Sequence, residues 1–149
     1  MKNNRGITLV VLIVTIVILA LVAGFIVSSV ETTYEDSSII QFSSYMQMIQ
    51  KKVDLYVEEG TDIETLGKPL SVIAKNNLQT IIDSDTKNVI ETTDVNGSKL
   101  RYFSSNDISE DFGINGIVDE IIVNFENREV ISLNGVEKDE EMYYVIRGL

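Results

Sequence analysis

Residues 1–6 read MKNNRG and residues 7–30 read ITLVVLIVTIVILALVAGFIVSSV, and these two segments decide the architecture of the chain. Residues 7–30 contain no charged side chain and consist mainly of isoleucine, leucine and valine. As a helix, this segment would extend about 36 Å, which exceeds the bilayer hydrocarbon core of about 30 Å. The sequence therefore predicts a membrane-spanning helix at residues 7–30.

The charges that flank this segment predict its orientation. Lys2 and Arg5 are the only charged residues before Glu31, and the next basic residue is Lys51. Basic residues beside a membrane span stay preferentially on the cytoplasmic side. We expect a single-pass protein of the cytoplasmic membrane, with its N-terminus inside and residues 31–149 outside.

Hydropathy alone leaves two other interpretations open. A cleavable secretory signal has an apolar stretch of about 7–15 residues before a small-residue cleavage site. Ala23 and Gly24 offer such a site, but the apolar stretch here is clearly longer. A plain signal anchor would have the same hydropathy as residues 7–30.

The leader and the beginning of the apolar segment together resemble the type IV prepilin and pseudopilin family. In that family a short basic leader ends in glycine, and a membrane-embedded prepilin peptidase cuts the next bond. The resemblance implies cleavage between Gly6 and Ile7, followed by methylation of the new amine of Ile7. Glycine suits such a bond because it lets an extended backbone enter a protease site without a side-chain conflict.

The resemblance also implies a fold and a domain organisation. Residues 1–6 would be the leader and residues 7–30 the membrane and filament-core part of a long helix. Residues 31–149 would form an extracellular α+β head, in which an amphipathic continuation of the helix to about residue 59 packs on a small antiparallel β-sheet.

Val11 departs from the family pattern. Most members carry a glutamate as the fifth residue of the mature chain, where it is thought to pair with the terminal amine of a neighbouring subunit. A charged side chain within a bilayer is costly and is kept where it has a partner. Tip-type pseudopilins and some Gram-positive pilin-like proteins also lack this glutamate, so the resemblance implies a minor or tip-type subunit.

Composition narrows the chemistry of the chain. Cysteine, histidine and tryptophan are absent, which excludes Ser-His-Asp and Cys-His nucleophilic sites and the usual zinc sites. The first 30 residues hold two of the 12 basic residues and none of the 23 acidic ones, so residues 31–149 carry net charge −13. Because such a surface repels phosphate groups, we predict no nucleic-acid binding by the isolated head.

Helical periodicity continues beyond residue 30. One apolar stripe recurs at intervals of three and four residues, and we expect it to pack in a core: Ile39, Phe42, Tyr45, Met46, Ile49, Val53 and Tyr56. Gly60 predicts the end of this helix. In the connector at residues 61–69, Thr61 and Glu64 form a capping-box pattern. A second helix is predicted at residues 70–82, with an inward face of Leu70, Ile73, Ala74, Leu78, Ile81 and Ile82.

Strand patterns dominate the rest of the chain. Residues 89–95 and 99–103 flank Asn96-Gly97, which predicts a hairpin. Asp107 is predicted to cap a short helical turn through Asp111. Three further strands are predicted at residues 120–125, 129–133 and 142–146.

The C-terminal segment adds a second, shorter resemblance. Residues 122–125, 129–131 and 134–136, together with Tyr143-Tyr144, resemble the C-terminal part of clostridial pilin-like proteins over about the last thirty residues. In a strand Tyr143 and Tyr144 would point to opposite faces, which predicts one core tyrosine and one exposed tyrosine.

Two acidic clusters are the only candidates for metal binding or carboxylate chemistry. Asp83-Ser84-Asp85 and residues 137–141 could offer oxygen ligands to calcium, but neither matches an EF-hand loop. No spacing distinguishes a catalytic carboxylate pair. We therefore predict no metal site, no cofactor and no enzymatic activity.

Three functions follow as hypotheses. The first is a structural subunit of a type IV pilus-like or type II secretion-like filament, with prepilin peptidase, other pilin subunits and the assembly machinery as partners. The second is a membrane-anchored extracellular binding module that does not polymerise. The third, a carboxylate-dependent hydrolase, has the least support in the sequence.

Overall fold

The structure is a computed structural model that describes the backbone of residues 5–149 and the side chains of residues 9–21 and 36–149. The chain divides into two compact units, Met1–Ser37 and Ser38–Leu149. Helix α1 comprises Arg5–Glu58 and contributes to both. The second unit is an α+β domain with small antiparallel sheets, as the sequence predicts.

Helix α1 ends where the glycine signal predicts. Gly60 has φ 68°, and the amide of Thr61 donates to the carbonyl oxygen of Tyr56 at 2.9 Å. This left-handed glycine closes the helix because it has no Cβ to strain. The predicted capping box of Thr61 and Glu64 is wrong, since Asp62 caps the short 3-10 turn Ile63–Thr65 by accepting the Glu64 amide at 3.1 Å.

Helix α2 comprises Val72–Ser84 and begins at Ser71, whose hydroxyl accepts the Ala74 amide at 3.1 Å. Ala74, Leu78 and Ile81 are buried as predicted. The inward placement of Ile73 is wrong, because its side chain is 73 % exposed. One residue turns a helix by about 100°, so Ile73 lies well away from the face that Ala74 begins.

Three strands form the main sheet: β1 (Leu100–Phe103), β2 (Ile121–Asn124) and β3 (Glu129–Ser132). Their order is β1-β2-β3 and both pairings are antiparallel, which confirms the strands predicted at residues 99–103, 120–125 and 129–133. A second sheet pairs β4 (Val136–Lys138) with β5 (Glu141–Tyr143). The sequence analysis missed β4 and placed the last strand too far along the chain, at residues 142–146.

The strand and hairpin predicted from residues 89–95 are wrong. These residues are irregular, and a buried carboxylate takes their backbone bonds instead of a neighbouring strand. Glu129 accepts the amide of Glu91 at 2.8 Å, and both the amide and the hydroxyl of Thr92, at 2.7 and 2.6 Å. Because the amides of Glu91 and Thr92 donate to this side chain, they are not available for backbone hydrogen bonds with β1.

Both faces of the main sheet are buried. Side chains of α1 (Phe42, Met46, Ile49 and Val53) form one cluster with Phe103, Ile121, Val123 and Val130, and Ile108 and Phe112 belong to the same cluster. On the opposite face, Leu78 and Ile81 of α2 pack with Leu100, Ile122 and Ile131. Successive side chains along each strand therefore pack alternately against helices on the two faces of the sheet.

Helix α3 comprises Ser105–Phe112 and corrects the predicted role of Asp107. Ser104 is the N-cap, and Asp107 occupies the third helical position, where its carboxylate accepts the Ser104 amide at 2.9 Å. Burial acts to raise the pKa of Asp107, but the Ser104 bonds and the Lys68 ammonium at 3.2 Å outweigh it, so the pKa lies below its ordinary value. Ser104 and Asp107 together form a capping box.

Tyr143 and Tyr144 differ less than predicted. Tyr143 is buried in the core, whereas Tyr144 is half-buried against the second cluster and is not exposed. Its ring also lies against Gly135, where an added Cβ would meet it at 2.9 Å. This close packing explains why the second tyrosine is covered.

The turn of the β4–β5 hairpin offers a stability test. Asp139 and Glu140 both have positive φ, 52° and 64°, which suits a type I′ turn with Asn-Gly. We expect the double substitution Asp139→Asn, Glu140→Gly to raise the free energy of unfolding by about 1 kcal/mol, because glycine carries no left-handed strain. Chemical denaturation measures the gain. The control Asp139→Asn, Glu140→Ala removes the same two charges but keeps a Cβ at position 140, so an equal gain there would contradict the explanation.

Candidate functional site

The predicted processing residues lie at the edge of what the structure describes. Lys2 lies outside the described residues, as do the side chains of Arg5 and Ile7. The backbone of Gly6 and Ile7 belongs to the first turn of α1. Val11 is described and is 57 % exposed. Its carbonyl oxygen accepts the hydroxyl of Thr15 at 2.8 Å.

Residues 9–21 of α1 form an exposed apolar stretch. Every large hydrophobic side chain there is exposed, from 49 % at Val14 to 70 % at Leu21. Thr15 is the one polar side chain, and its hydroxyl bonds to the helix backbone. A helix that is apolar on all sides is characteristic of a buried or membrane environment, not of a surface helix in water.

The predicted membrane span exceeds this stretch. Of residues 7–30, the side chains at 7–8 and 22–30 lie outside the described residues. Within the described part of the chain, no helix reaches the length and apolarity needed to cross a membrane.

A second apolar surface lies on the head, between α1 and the loop that joins α3 to β2. Ile40 and Met48 of α1 are 67 % and 45 % exposed, and Val118 of the loop is 90 % exposed. They belong to a groove of about 710 Å³, lined by residues of α1 and by residues 114–119. We call this surface the Val118 groove.

A buried carboxylate fixes one wall of the Val118 groove. Asp119 is 3 % exposed and accepts the hydroxyl of Tyr45 at 2.6 Å and that of Ser132 at 2.7 Å. It also accepts the backbone amides of Glu120 at 2.7 Å and Asn134 at 3.4 Å. These bonds tie the loop to α1 and β3, so the loop that carries Val118 is anchored on two sides.

The raised pKa values of two tyrosines, Tyr45 and Tyr102, predict that the free energy of unfolding falls at alkaline pH. Burial, followed by the hydrogen bond and the charge of Asp119, raises the pKa of Tyr45 above its ordinary value of 10.0. Burial and Glu120 likewise raise the pKa of Tyr102 to about 12. The folded state then holds the phenolic protons more tightly than the unfolded state. Their contribution to the free energy of unfolding is fully present below pH 10 and is lost as pH rises above 10.

Denaturation midpoints at pH 8, 10 and 11 measure this fall. The variant Tyr45→Phe should lose less stability than the wild type between pH 8 and 11, because phenylalanine has no phenolic proton to release. A parallel decline in the two proteins would contradict the role of Tyr45.

A cavity of about 280 Å³ lies between the end of α2 and β5. Lys87 forms an ion pair with Glu141, donates to the hydroxyl of Tyr143 at 2.5 Å and lies 4.6 Å from that ring's centroid. The hydrogen bonds to Glu141 and Tyr143 raise the pKa of Lys87, and the hydrogen bond from Lys87 lowers that of Glu141. These three groups are bonded to one another, which makes the cluster a cross-link between two segments.

The acidic candidates from the sequence have local bonding roles. Asp83 accepts the side-chain amide of Gln79 at 2.9 Å, and Asp85 accepts the Ile90 amide at 2.8 Å. Among the residues that the structure describes, no three acidic side chains come together as metal ligands.

Comparison of the chain with protein-family models, with curated proteins and with solved structures finds no match.

Sequence reasoning missed the two buried carboxylates, Asp119 and Glu129. A signal was available for each, because each is an acidic residue at the edge of a strand of branched apolar residues. Buried charges are paired or hydrogen-bonded, so such positions indicate a network.

Proposed function

We propose that this protein is a pilin-like structural subunit of a type IV pilus-like or type II secretion-like filament. The observation that carries the proposal is the exposed apolar stretch at residues 9–21, which belongs to the same helix that supplies the head with Phe42, Met46 and Ile49. One helix would thus combine an apolar anchor with a core element of a folded domain.

Exposed apolar side chains of this number require a cover. Burying one large aliphatic side chain contributes about 1.5–3 kcal/mol, and residues 9–21 present eleven large hydrophobic side chains. Lipid provides that cover before assembly, and neighbouring copies provide it in a filament. A subunit that exchanges one for the other needs a helix without charges, as here.

The remaining parts of the proposal follow from the leader. The chain rests in the cytoplasmic membrane with Lys2 and Arg5 inside and the head outside. Prepilin peptidase cuts between Gly6 and Ile7, and the amine of Ile7 is methylated. Because Val11 supplies no carboxylate to pair with a neighbour's amine, we assign a minor or tip-type position, with no enzymatic activity and no cofactor.

The N-terminus of the protein recovered from cells tests this function. The chain is produced in cells with a prepilin peptidase and in cells lacking it, and its intact mass and N-terminal sequence are measured. We expect a chain that begins at methylated Ile7 only where the peptidase is present. Filaments sheared from the same cells should contain this form as a small fraction.

Other results would assign another function. A chain that keeps residues 1–6 and never enters filaments would be a membrane-anchored binding module. A chain beginning near Phe25 would be an ordinary secreted protein. Recovery as the main mass of the sheared filaments would contradict the minor position but not the filament.

A further inference from the structure

We propose that Asn115 is a site of spontaneous modification, at which the chain converts its own side-chain amide to a carboxylate. The inference goes beyond the proposed function, because the reaction needs only this chain and water. It singles out one of the three Asn-Gly pairs in the sequence, which are Asn96-Gly97, Asn115-Gly116 and Asn134-Gly135.

The reaction is the attack of a backbone nitrogen on a side chain. The nitrogen of Gly116 loses its proton and bonds to Cγ of Asn115, the bond from Cγ to Nδ2 breaks, and ammonia leaves. Water then opens the resulting cyclic imide and gives aspartate or isoaspartate. Glycine favours this step because it has no Cβ to shield the nitrogen. The three Asn-Gly pairs are therefore chemically alike, and the fold decides which of them reacts first.

The pair Asn134-Gly135 is held away from this reaction. The amide of Gly135 donates to the hydroxyl of Ser132 at 2.7 Å. The side-chain amide of Asn134 donates to the carbonyl oxygen of Val118 at 3.4 Å. A Cβ added at Gly135 would meet the carbonyl oxygen of Tyr143 at 2.9 Å, so the backbone there is closely covered. Reaction at Asn134 has to break these contacts.

The pair Asn96-Gly97 is held in a turn, although less firmly. The amide of Gly97 donates to the carbonyl oxygen of Asp94 at 3.4 Å, which is long for such a bond. The amide of Asn96 donates to the carboxylate of Asp94 at 2.8 Å. The nitrogen of Gly97 is thus engaged by a weak bond, and we expect this pair to react at an intermediate rate.

The pair Asn115-Gly116 is open. Both residues lie in the loop that joins α3 to β2, and both are exposed. Among the residues that the structure describes, none accepts the amide of Gly116, and an added Cβ would meet no atom beyond its chain neighbours within 4 Å. The hydroxyl of Ser109 donates to Oδ1 of Asn115. Asn96 receives the same kind of bond from Lys75 at 3.1 Å, so these two pairs differ in the freedom of the glycine amide.

The product changes the charge of the Val118 groove. Asn115 lines that groove, whose described lining holds one charged residue, the buried Asp119. Conversion adds an exposed carboxylate, and the loss of ammonia makes the change one-way. The groove of each copy therefore gains charge with age and becomes a poorer contact for an uncharged partner.

Incubation of the full chain in mild detergent at pH 8, with samples digested by pepsin for tandem mass spectrometry, tests the site. We expect the acid product first at Asn115, later at Asn96 and last at Asn134. The same chain unfolded in guanidinium chloride is the control. There the three pairs should convert at similar rates, because each asparagine is followed by glycine.

Three results would overturn the proposal. The first is equal conversion of the three pairs in the folded chain, and the second is an earlier product at Asn96 or Asn134. The third is a folded chain that keeps Asn115 intact while the unfolded chain converts it.

Variants of Ser109 test the hydroxyl that bonds to Oδ1 of Asn115. A donor at that oxygen stabilises the negative charge that develops there as the nitrogen attacks. We expect Ser109→Ala to slow conversion at Asn115 about fivefold and to leave the rate at Asn96 unchanged. Ser109→Thr keeps the hydroxyl and should retain the wild-type rate. An alanine variant that converts Asn115 as fast as the wild type would overturn this role of Ser109.

Discussion

Replacing Asp119 with alanine is expected to lower the free energy of unfolding of the head by about 3 kcal/mol. The substitution leaves the hydroxyls of Tyr45 and Ser132 without their acceptor in a buried site. Each unsatisfied buried polar group costs about 1–3 kcal/mol. Loss of the bonds to Glu120 and Asn134 also releases the loop that carries the Val118 groove.

Chemical denaturation of the full chain in mild detergent, followed by the near-ultraviolet dichroism of its tyrosines, measures the loss. Asp119→Asn keeps one acceptor oxygen and should cost less than alanine. Tyr45→Phe removes a single donor and should cost about 1 kcal/mol. An alanine variant within 1 kcal/mol of the wild type would show that water replaces the carboxylate without loss.

Placing a charge in the apolar stretch is expected to have the largest effect on localisation. Ile18 is 54 % exposed and lies near the middle of residues 7–30. A lysine at the centre of a membrane helix costs about 2.5–3.5 kcal/mol on insertion scales, which corresponds to roughly a hundredfold change in partitioning. We expect Ile18→Lys to raise the share of the chain that alkali extracts and to abolish its incorporation into filaments.

The matched control is Ile18→Leu, which preserves apolarity and size and should behave as the wild type. Alkaline extraction of membranes, followed by quantification of the chain in pellet and supernatant, measures the partition. The share of each variant in sheared filaments measures incorporation. If the lysine variant enters filaments as fully as the leucine variant, residues 7–30 do not pack between subunits and the filament proposal loses its basis.

The periodicity of apolar residues in the sequence correctly predicted the buried face of α1 and the three strands of the main sheet. The stripe from Ile39 to Tyr56 is on the core side of α1, and Gly60 ends the helix. The three strands of the main sheet follow their branched apolar runs. In each case the side chains of one short segment determine both its conformation and its buried face.

The errors occur where a distant residue decides the local conformation. Residues 89–95 have a strand pattern, but Glu129, 37 residues beyond Thr92, bonds their amides. The β4–β5 turn is a separate, local error, because Asp139 and Glu140 take the left-handed conformation without a glycine to indicate it. The Val118 groove depends on Asp119, whose partner Tyr45 lies 74 residues earlier. No short window of sequence contains both Thr92 and Glu129, or both Tyr45 and Asp119.

That separation of 74 residues between Tyr45 and Asp119 also determines when the head can fold. At a synthesis rate of about 5–20 residues per second, Asp119 is added about 4–15 s after Tyr45. Through that interval the stripe that includes Phe42 and Met46 has no sheet to cover it. Folding of the head is therefore a late event, and the growing chain must be protected from aggregation by something other than its own core.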